Sequence, residues 1–506
     1  MTIPRTILLL GLLGSTNPVL ADEPRPAITV RLDQPDRQIQ AVIDLFRGSR
    51  AANPAAALAA WKRATREPDR LGKPLEAVIA AFNPAMAEES RIFDGAELAL
   101  WFEPEGGQPI WGVSLPADDG SIAALATALV LSGGSAEAPI NGLAVDRLGP
   151  PGSALMAKAP RALLIASSPE GLKRARDRAD RPRAQGDQSP RFRYEIETGA
   201  LDGSNSITLR RLRTLLHQAR GPITGRAGLI RSIFNASLTV NGVESPPKPA
   251  TVKPSWLDWL PTDRSMAVFA VAIDPAPANW DAAFRIADLV EKVDPARANM
   301  APLRFRLDLL ARTLGIRTDG DLFPHLEGIA GWIGSDGRSV DRAFLMLHLD
   351  DEVVATRIFD RIRPLPNSGP PPEPKPTQGR WLGQVEGRAL RLRRFGPAVV
   401  ATWGDDVIEA SLDARDHFER SARPHFKEAL LHGPPAIVTA IWPARVPDLV
   451  PIDTPLATAL AETRPIVWSG FWGDPGAFRI EGSWSGLDAT VKRFLDRIPL
   501  DPPPDH

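Results

Sequence analysis

The sequence predicts an α+β protein of two tandem, divergent repeats, each a mainly antiparallel sheet with helices packed on one face. Three observations carry that expectation. Short apolar runs come in strand-like pairs and end in an acidic or hydroxyl residue that precedes an amphipathic stretch. The same order of pieces recurs in the second half of the chain. Between the halves lies 244–254, with four prolines in eleven residues and no apolar periodicity, which reads as a stiff, extended linker.

Taken in order, a strand at 28–32 leads to a helix at 38–46, and its counterpart is a strand at 266–273 leading to a helix at 280–290. A strand pair at 94–102 and 110–115, then Asp118 and Asp119, then a helix at 122–131, matches 327–333 and 342–349, then Asp350 and Asp351, then a helix at 353–362. The strand 162–166 with Ser168 and a helix matches 398–402 with Asp405, Asp406 and a helix. Further strands at 192–196 and 436–441 precede helices at 209–218 and 456–461, and each half closes on a strand pair, near 230–240 and 466–483. The expected organisation is a first unit at 22–243, the linker 244–254, a second unit at 255–500 and a tail at 501–506. Seven prolines within 363–378 mark a solvated, polyproline-like loop in the second unit.

The N-terminus reads as a cleavable export signal. Arg5 supplies the positive charge, 7–13 the apolar stretch, and Val19-Leu20-Ala21 a small residue before cleavage after Ala21, which places the mature protein in the periplasm or outside the cell. The longest apolar run beyond it, 122–131, falls well short of the roughly 18 residues a spanning helix needs. With no cysteine in the chain, neither a disulfide framework nor a lipobox cysteine is available. The formal net charge of -1 argues against nucleic-acid partners. The one basic stretch, 158–193, lacks the interleaved aromatics that stack bases.

Catalytic patterns are missing. There is no Gly-x-Ser-x-Gly elbow, no His-Glu-x-x-His pair and no Gly-x-x-x-x-Gly-Lys loop. His417, His425 and His432 are spaced seven or eight apart, but Pro424 and Gly433 limit any common helix, so surface and capping roles are expected. The acidic pairs at 118–119, 350–351 and 405–406 could be glycosidase carboxylates or calcium ligands. Standing before helices in both halves, they are expected to cap N-termini instead. Asp319-Gly320-Asp321 fails as a calcium loop, because Phe323 and Pro324 occupy positions that need an oxygen ligand and the turn glycine. Ten of the thirteen tryptophans follow residue 250. On the probable strand at 468–472, Trp468 and Trp472 share a side, either as a sugar-stacking row or as core, and core is expected.

Leu260-Pro261-Thr262-Asp263 opens the second unit, and Asp321-Leu322-Phe323-Pro324 with Leu326-Glu327-Gly328 precedes a strand. Together with the strand–helix segment 398–412, these resemble an exported bacterial domain-of-unknown-function family with a duplicated α+β unit. The resemblance covers 260–415; Asn83-Pro84 and Asp94-Gly95 approximate the same signals in the first unit. It implies fold and export, and it assigns no activity, cofactor or site residue. The expected function is a non-catalytic binding or scaffolding component of the cell envelope, its partner an envelope protein or polysaccharide. The alternatives are ligand binding through the Trp-rich second unit and a hydrolase with a dispersed carboxylate site.

Overall fold

The computed structural model describes residues 25–49, 94–102, 109–116, 120, 134–148, 154–180, 191–203, 221–243, 249–276, 280, 281, 284, 288, 300–335, 339–365, 379–445, 459, 460, 463–473 and 476–497. The expected signal peptide, Asp118 and Asp119, the helices expected at 122–131 and 209–218, the tail 501–506, and most of the helices expected at 280–290 and 456–461 and of the proline-rich loop lie outside the described residues. The chain divides into two units, Met1–Val243 with Gly486–His506, and Glu244–Ser485.

The first unit is an antiparallel sheet of β1 (Ile28–Asp33), β2 (Glu97–Trp101), β3 (Ile110–Pro116), β4 (Gly134–Ile140), β5 (Leu143–Leu148), β6 (Leu155–Ala159), β7 (Ala162–Ala166), β8 (Arg191–Ile196), β9 (Ile223–Ile230) and β10 (Ile233–Asn241). Its strands lie in the order β4-β5-β6-β7-β3-β2-β1-β8-β9-β10. Helix α1 (Pro35–Asp44) is tied to β9 by one side chain. The Gln38 amide donates to the Leu229 carbonyl at 3.1 Å, and its oxygen accepts the Leu229 N–H at 2.9 Å. Helix α2 (Pro169–Ala179) starts at Ser168, whose hydroxyl accepts the Gly171 N–H at 3.1 Å, with Pro169 where its missing N–H costs nothing. It packs against β3 at glycine distance: a β-carbon on Gly112 would stand 2.9 Å from the Gly171 carbonyl oxygen. Leu172 and Ala175 close a core with Val145, Leu155, Ala157 and Leu164.

The second unit holds β11 (Ser265–Ala272), β12 (Leu326–Ser335), β13 (Val340–Leu349), β14 (Arg380–Val385), β15 (Arg388–Phe395), β16 (Ala398–Trp403), β17 (Ile437–Ile441), β18 (Ile466–Trp472) and β19 (Ala477–Trp484). All pair antiparallel, in the order β14-β15-β16-β13-β12-β11-β17-β18-β19. Its helices include α3 (Pro254–Leu257), α4 (Leu303–Thr313), α5 (Glu352–Arg361) and α6 (Val407–Asp416).

Here the placement of helices on one face needs correction. Val407, Ile408 and Ala410 of α6 share a core with Ala330, Trp332, Phe344, Met346 and Val400. Val354, Ala355 and Ile358 of α5 pack with Leu349, Leu392 and Val399, on the opposite side of the same strands. The reason is legible in β13 and β16: Ala343-Phe344-Leu345-Met346-Leu347 and Ala398-Val399-Val400-Ala401 are apolar on both faces, so both need cover.

Two boundaries also differ from the sequence reading. The second unit ends at Ser485 rather than 500. The C-terminal helix (Leu487–Arg497) belongs to the first unit, where the Leu487 N–H bonds the Ser232 carbonyl at 3.2 Å and Leu495 packs with Phe46. The linker is shorter than 244–254. Val252 is buried and donates its N–H to the Pro435 carbonyl at 2.8 Å, and Pro254 already opens α3.

Candidate functional site

The acidic pairs divide by position. Asp351 is the N-cap of α5, its carboxylate accepting the Val353 N–H at 2.9 Å. Asp350 does not cap: its backbone N–H is still held by the His325 carbonyl at 2.8 Å, and its carboxylate meets His325 Nδ1 at 3.1 Å. Asp406 stands at the N-cap of α6 in left-handed backbone, φ 55°, and its side chain makes no capping bond. Asp319 and Asp321 are taken up by cations. Arg304 holds Asp319 at 3.1 Å, and Asp321 accepts from the Arg317 N–H at 3.1 Å and from Arg361 at 2.7 Å. Burial raises the Asp321 pKa, but those donors outweigh it and hold the carboxyl below its usual range.

The motif residues of the second unit are structural as well. Pro261 bridges to Ser421, the Thr262 N–H bonds the Arg420 carbonyl at 2.9 Å, and Arg445 donates to the Ser265 carbonyl at 2.7 Å. Phe323 stacks on Trp280 with ring centroids 4.3 Å apart, and Glu327 pairs with Lys253 at 2.6 Å.

No described tryptophan is exposed. Trp256, Trp332 and Trp442 are buried, and the Trp332 indole N–H donates to the Ser411 hydroxyl at 2.9 Å. Trp259 meets Phe395 at 4.7 Å under the Arg415 guanidinium, and Trp472 meets Phe478 edge-on at 4.8 Å. The three grouped histidines fall on separate elements. His417 reaches back to Asp413 at 3.0 Å, while His425 lies edge-on to Trp442 and is held below its ordinary pKa by burial and by Arg464. His432 ends a short helix from Lys427.

Two groups escaped the sequence reading because only the sheets assemble them. His348 of β13 stacks on Trp256, and burial, aided by the Lys253 charge, drives its pKa down to about 3. In the first unit, burial pushes the Glu195 carboxyl of β8 up to about 7; Arg178 and Arg25 oppose the rise, and Glu197 and Glu97 add to it. The Glu97 carboxylate is itself bound by Arg178. A cleft of about 260 Å³ opens elsewhere in that unit, lined by Glu137, Ile140, Arg147, Leu155, Ser167 and Ser168. Its Arg147 and Glu137 neutralise each other. Among the described residues no group of three His, Asp or Glu side chains could hold a metal.

The surface feature that asks for a partner is α4. Arg304, Asp308 and Ala311, spaced i, i+4, i+7, form the inward stripe. Arg304 reaches Asp281 and Asp319, Asp308 accepts the Thr318 hydroxyl, and Ala311 is buried. One residue further along, Phe305, Leu309 and Arg312 form the outward stripe. Phe305 is 59% exposed and Leu309 58%, and beside them Leu310 is 49% and Met300 50% exposed. Polar groups on one side bind the helix to the protein and Leu303 and Leu307 are half-buried, while Phe305, Leu309 and Leu310 face water, more apolar surface than an amphipathic helix usually exposes.

No family model matches the sequence, and no curated protein matches it. Solved structures of TP0453 are similar to part of the chain. Crystal form I aligns at 9% identity over 46% of this chain and 82% of that one, with a TM-score of 0.23. Crystal form III aligns at 10% identity over 47% and 81%, also with a TM-score of 0.23. The sheets are mainly antiparallel and carry helices, and no described helix is long and apolar enough to cross a membrane.

Proposed function

We propose that the protein is an exported, non-catalytic binding or scaffolding component of the cell envelope, built from two divergent copies of one α+β unit and akin to the domain-of-unknown-function family its motifs resemble. The carrying observation is the outward face of α4, where Phe305, Leu309, Leu310 and Met300 stand in water on a helix anchored by its polar side. Such a face is costly unless a partner covers it. Duplication is supported by strand order: β7-β3-β2-β1-β8-β9-β10 and β16-β13-β12-β11-β17-β18-β19 follow the chain in the same sequence. In both, the first-named strand leads into a helix, α2 or α6. Export is supported by Arg5, the apolar run 7–13 and Ala21.

The test is fractionation of native cells with crosslinking. The expected result is a mature chain in the envelope or outside the cell, its N-terminus at or near Asp22, with crosslinks from the second unit to an envelope component. A cytoplasmic chain that retains Met1 would overturn the reading. A second reading, a hydrolase with a dispersed carboxylate site, draws support from Glu195, whose raised pKa suits proton transfer near neutral pH. It requires envelope polysaccharide to be hydrolysed by the wild type and spared by Glu195→Gln.

A further inference from the structure

We propose that α4 docks the protein onto an anionic lipid bilayer, laying Phe305, Leu309 and Leu310 among the acyl chains and placing Arg312 at the phosphates. The inference rests on the reading of the protein as a binding component of the envelope, and it names the partner of that site. The polar inventory of the outward face favours lipid over a protein groove. The Thr313 hydroxyl is turned back onto the Leu309 carbonyl at 2.8 Å, so it offers nothing to a partner. Arg312 is exposed and forms no ion pair among the described residues. The nearby acids are already engaged: Asp281 and Asp319 with Arg304, Asp308 with Thr318, Asp321 with Arg317 and Arg361.

What remains outward is aliphatic and aromatic surface with a cation at its rim and no hydrogen-bonding pattern that would select a protein partner. Acyl chains beneath anionic phosphates have the complementary chemistry. Arg304 and Arg317 are taken up by Asp281, Asp319 and Asp321, and Arg312 remains at the rim to meet the phosphates. The helix need only lie in the interface, because an interfacial helix buries its apolar face without crossing the bilayer.

The experiment is vesicle flotation of the full mature chain on phosphatidylcholine, with and without phosphatidylglycerol. Wild type is expected to float with the phosphatidylglycerol vesicles and to be released by salt. Phe305→Ser with Leu309→Ser should lower partitioning by about tenfold or more, with an unchanged melting temperature because both side chains already face water. Arg312→Glu should remove the preference for phosphatidylglycerol while leaving residual binding. The proposal falls if the wild type stays unbound, or if the double variant floats as the wild type does. It also falls if light scattering shows a dimer that the double variant dissociates, since a second copy would then cover the face. Crosslinking to an envelope protein without vesicle binding would remove the lipid proposal and leave the binding reading standing.

Discussion

His348 lies face to face on Trp256, ring centroids 4.5 Å apart and planes 15° apart. The pair couples a strand of the second unit to its first short helix, because Trp256 in turn covers Gly328, the residue paired with His348 across the sheet. Its Nε2 atom is buried without a hydrogen-bond partner, so protonation would place an unpaired charge in the sheet's cover.

This stack makes the second unit acid-sensitive. The folded His348 pKa, about 3, lies below its ordinary 6.5. Its neutral form is therefore favoured by folding above 6.5, and that stability is lost as pH falls from 6.5 toward 3. At pH 5 the loss should be on the order of 2 kcal/mol. His348→Phe keeps an aromatic partner for Trp256 and should flatten the acid limb of denaturant melts between pH 6.5 and 4; an unchanged limb would show that His348 is not responsible.

Glu195 should act in the opposite sense on the first unit. Its folded pKa of about 7 exceeds the ordinary 4.5, so the folded state holds a proton that the unfolded chain has released between those values. Stability falls as pH rises from 4.5 to 7 and levels off above. Glu195→Gln should be more stable than wild type at pH 8, on the order of 1–2 kcal/mol, with the gain vanishing near pH 4.5. Urea titrations at the two pH values check this, and a pH-independent difference would point to packing instead.

Cross-strand glycines beneath aromatic rings should resist substitution. A β-carbon on Gly328 would overlap the Trp256 indole, and one on Gly482 would overlap that of Trp468, its partner across β18 and β19. Gly328→Ala and Gly482→Ala should each cost about 1–3 kcal/mol by overpacking. Gly387→Ala meets no atoms within 4 Å, so its cost should reflect only the strain of φ 75° at its turn. Thermal melts that rank Gly387→Ala as the most damaging would contradict the stacking account.

The helix starts can be separated by substitution. Asp351→Ala removes a real cap and should cost about 0.5–2 kcal/mol, whereas Asp350→Ala removes only the partly exposed His325 contact and should cost less. Asp406→Gly should stabilise by a few tenths to about 1 kcal/mol, since its left-handed backbone is strained for aspartate and no capping bond is lost. Equal losses at 350 and 351 would contradict this assignment.

The sequence alone located strands such as those at 28–32, 110–115, 342–349 and 398–402, but not β4, β5, β6, β14 or β15. Strands such as 110–115 and 342–349 carry their signal locally, in apolar runs bounded by turn residues. Ser168 as a cap was equally legible. The strand pair β4–β5 was missed although Asn141-Gly142 marks its turn, because Gly134-Ser135-Ala136-Glu137 has little strand propensity and gains it only by pairing with β5. Which acid of a pair caps depends on where the preceding strand releases the backbone, and the His325 carbonyl settles that for Asp350. The return of 487–497 to the first unit, the stacking of His348 on Trp256 and the raised pKa of Glu195 join residues far apart in the chain. Burial and cross-strand register create these relationships, and neither exists until the sheets form. The outward turn of α4 belongs with them. The sequence reading places no helix at 303–313, and the ion pairs of Arg304 with Asp281 and Asp319, contacts that exist only in the folded unit, hold its polar side to the protein.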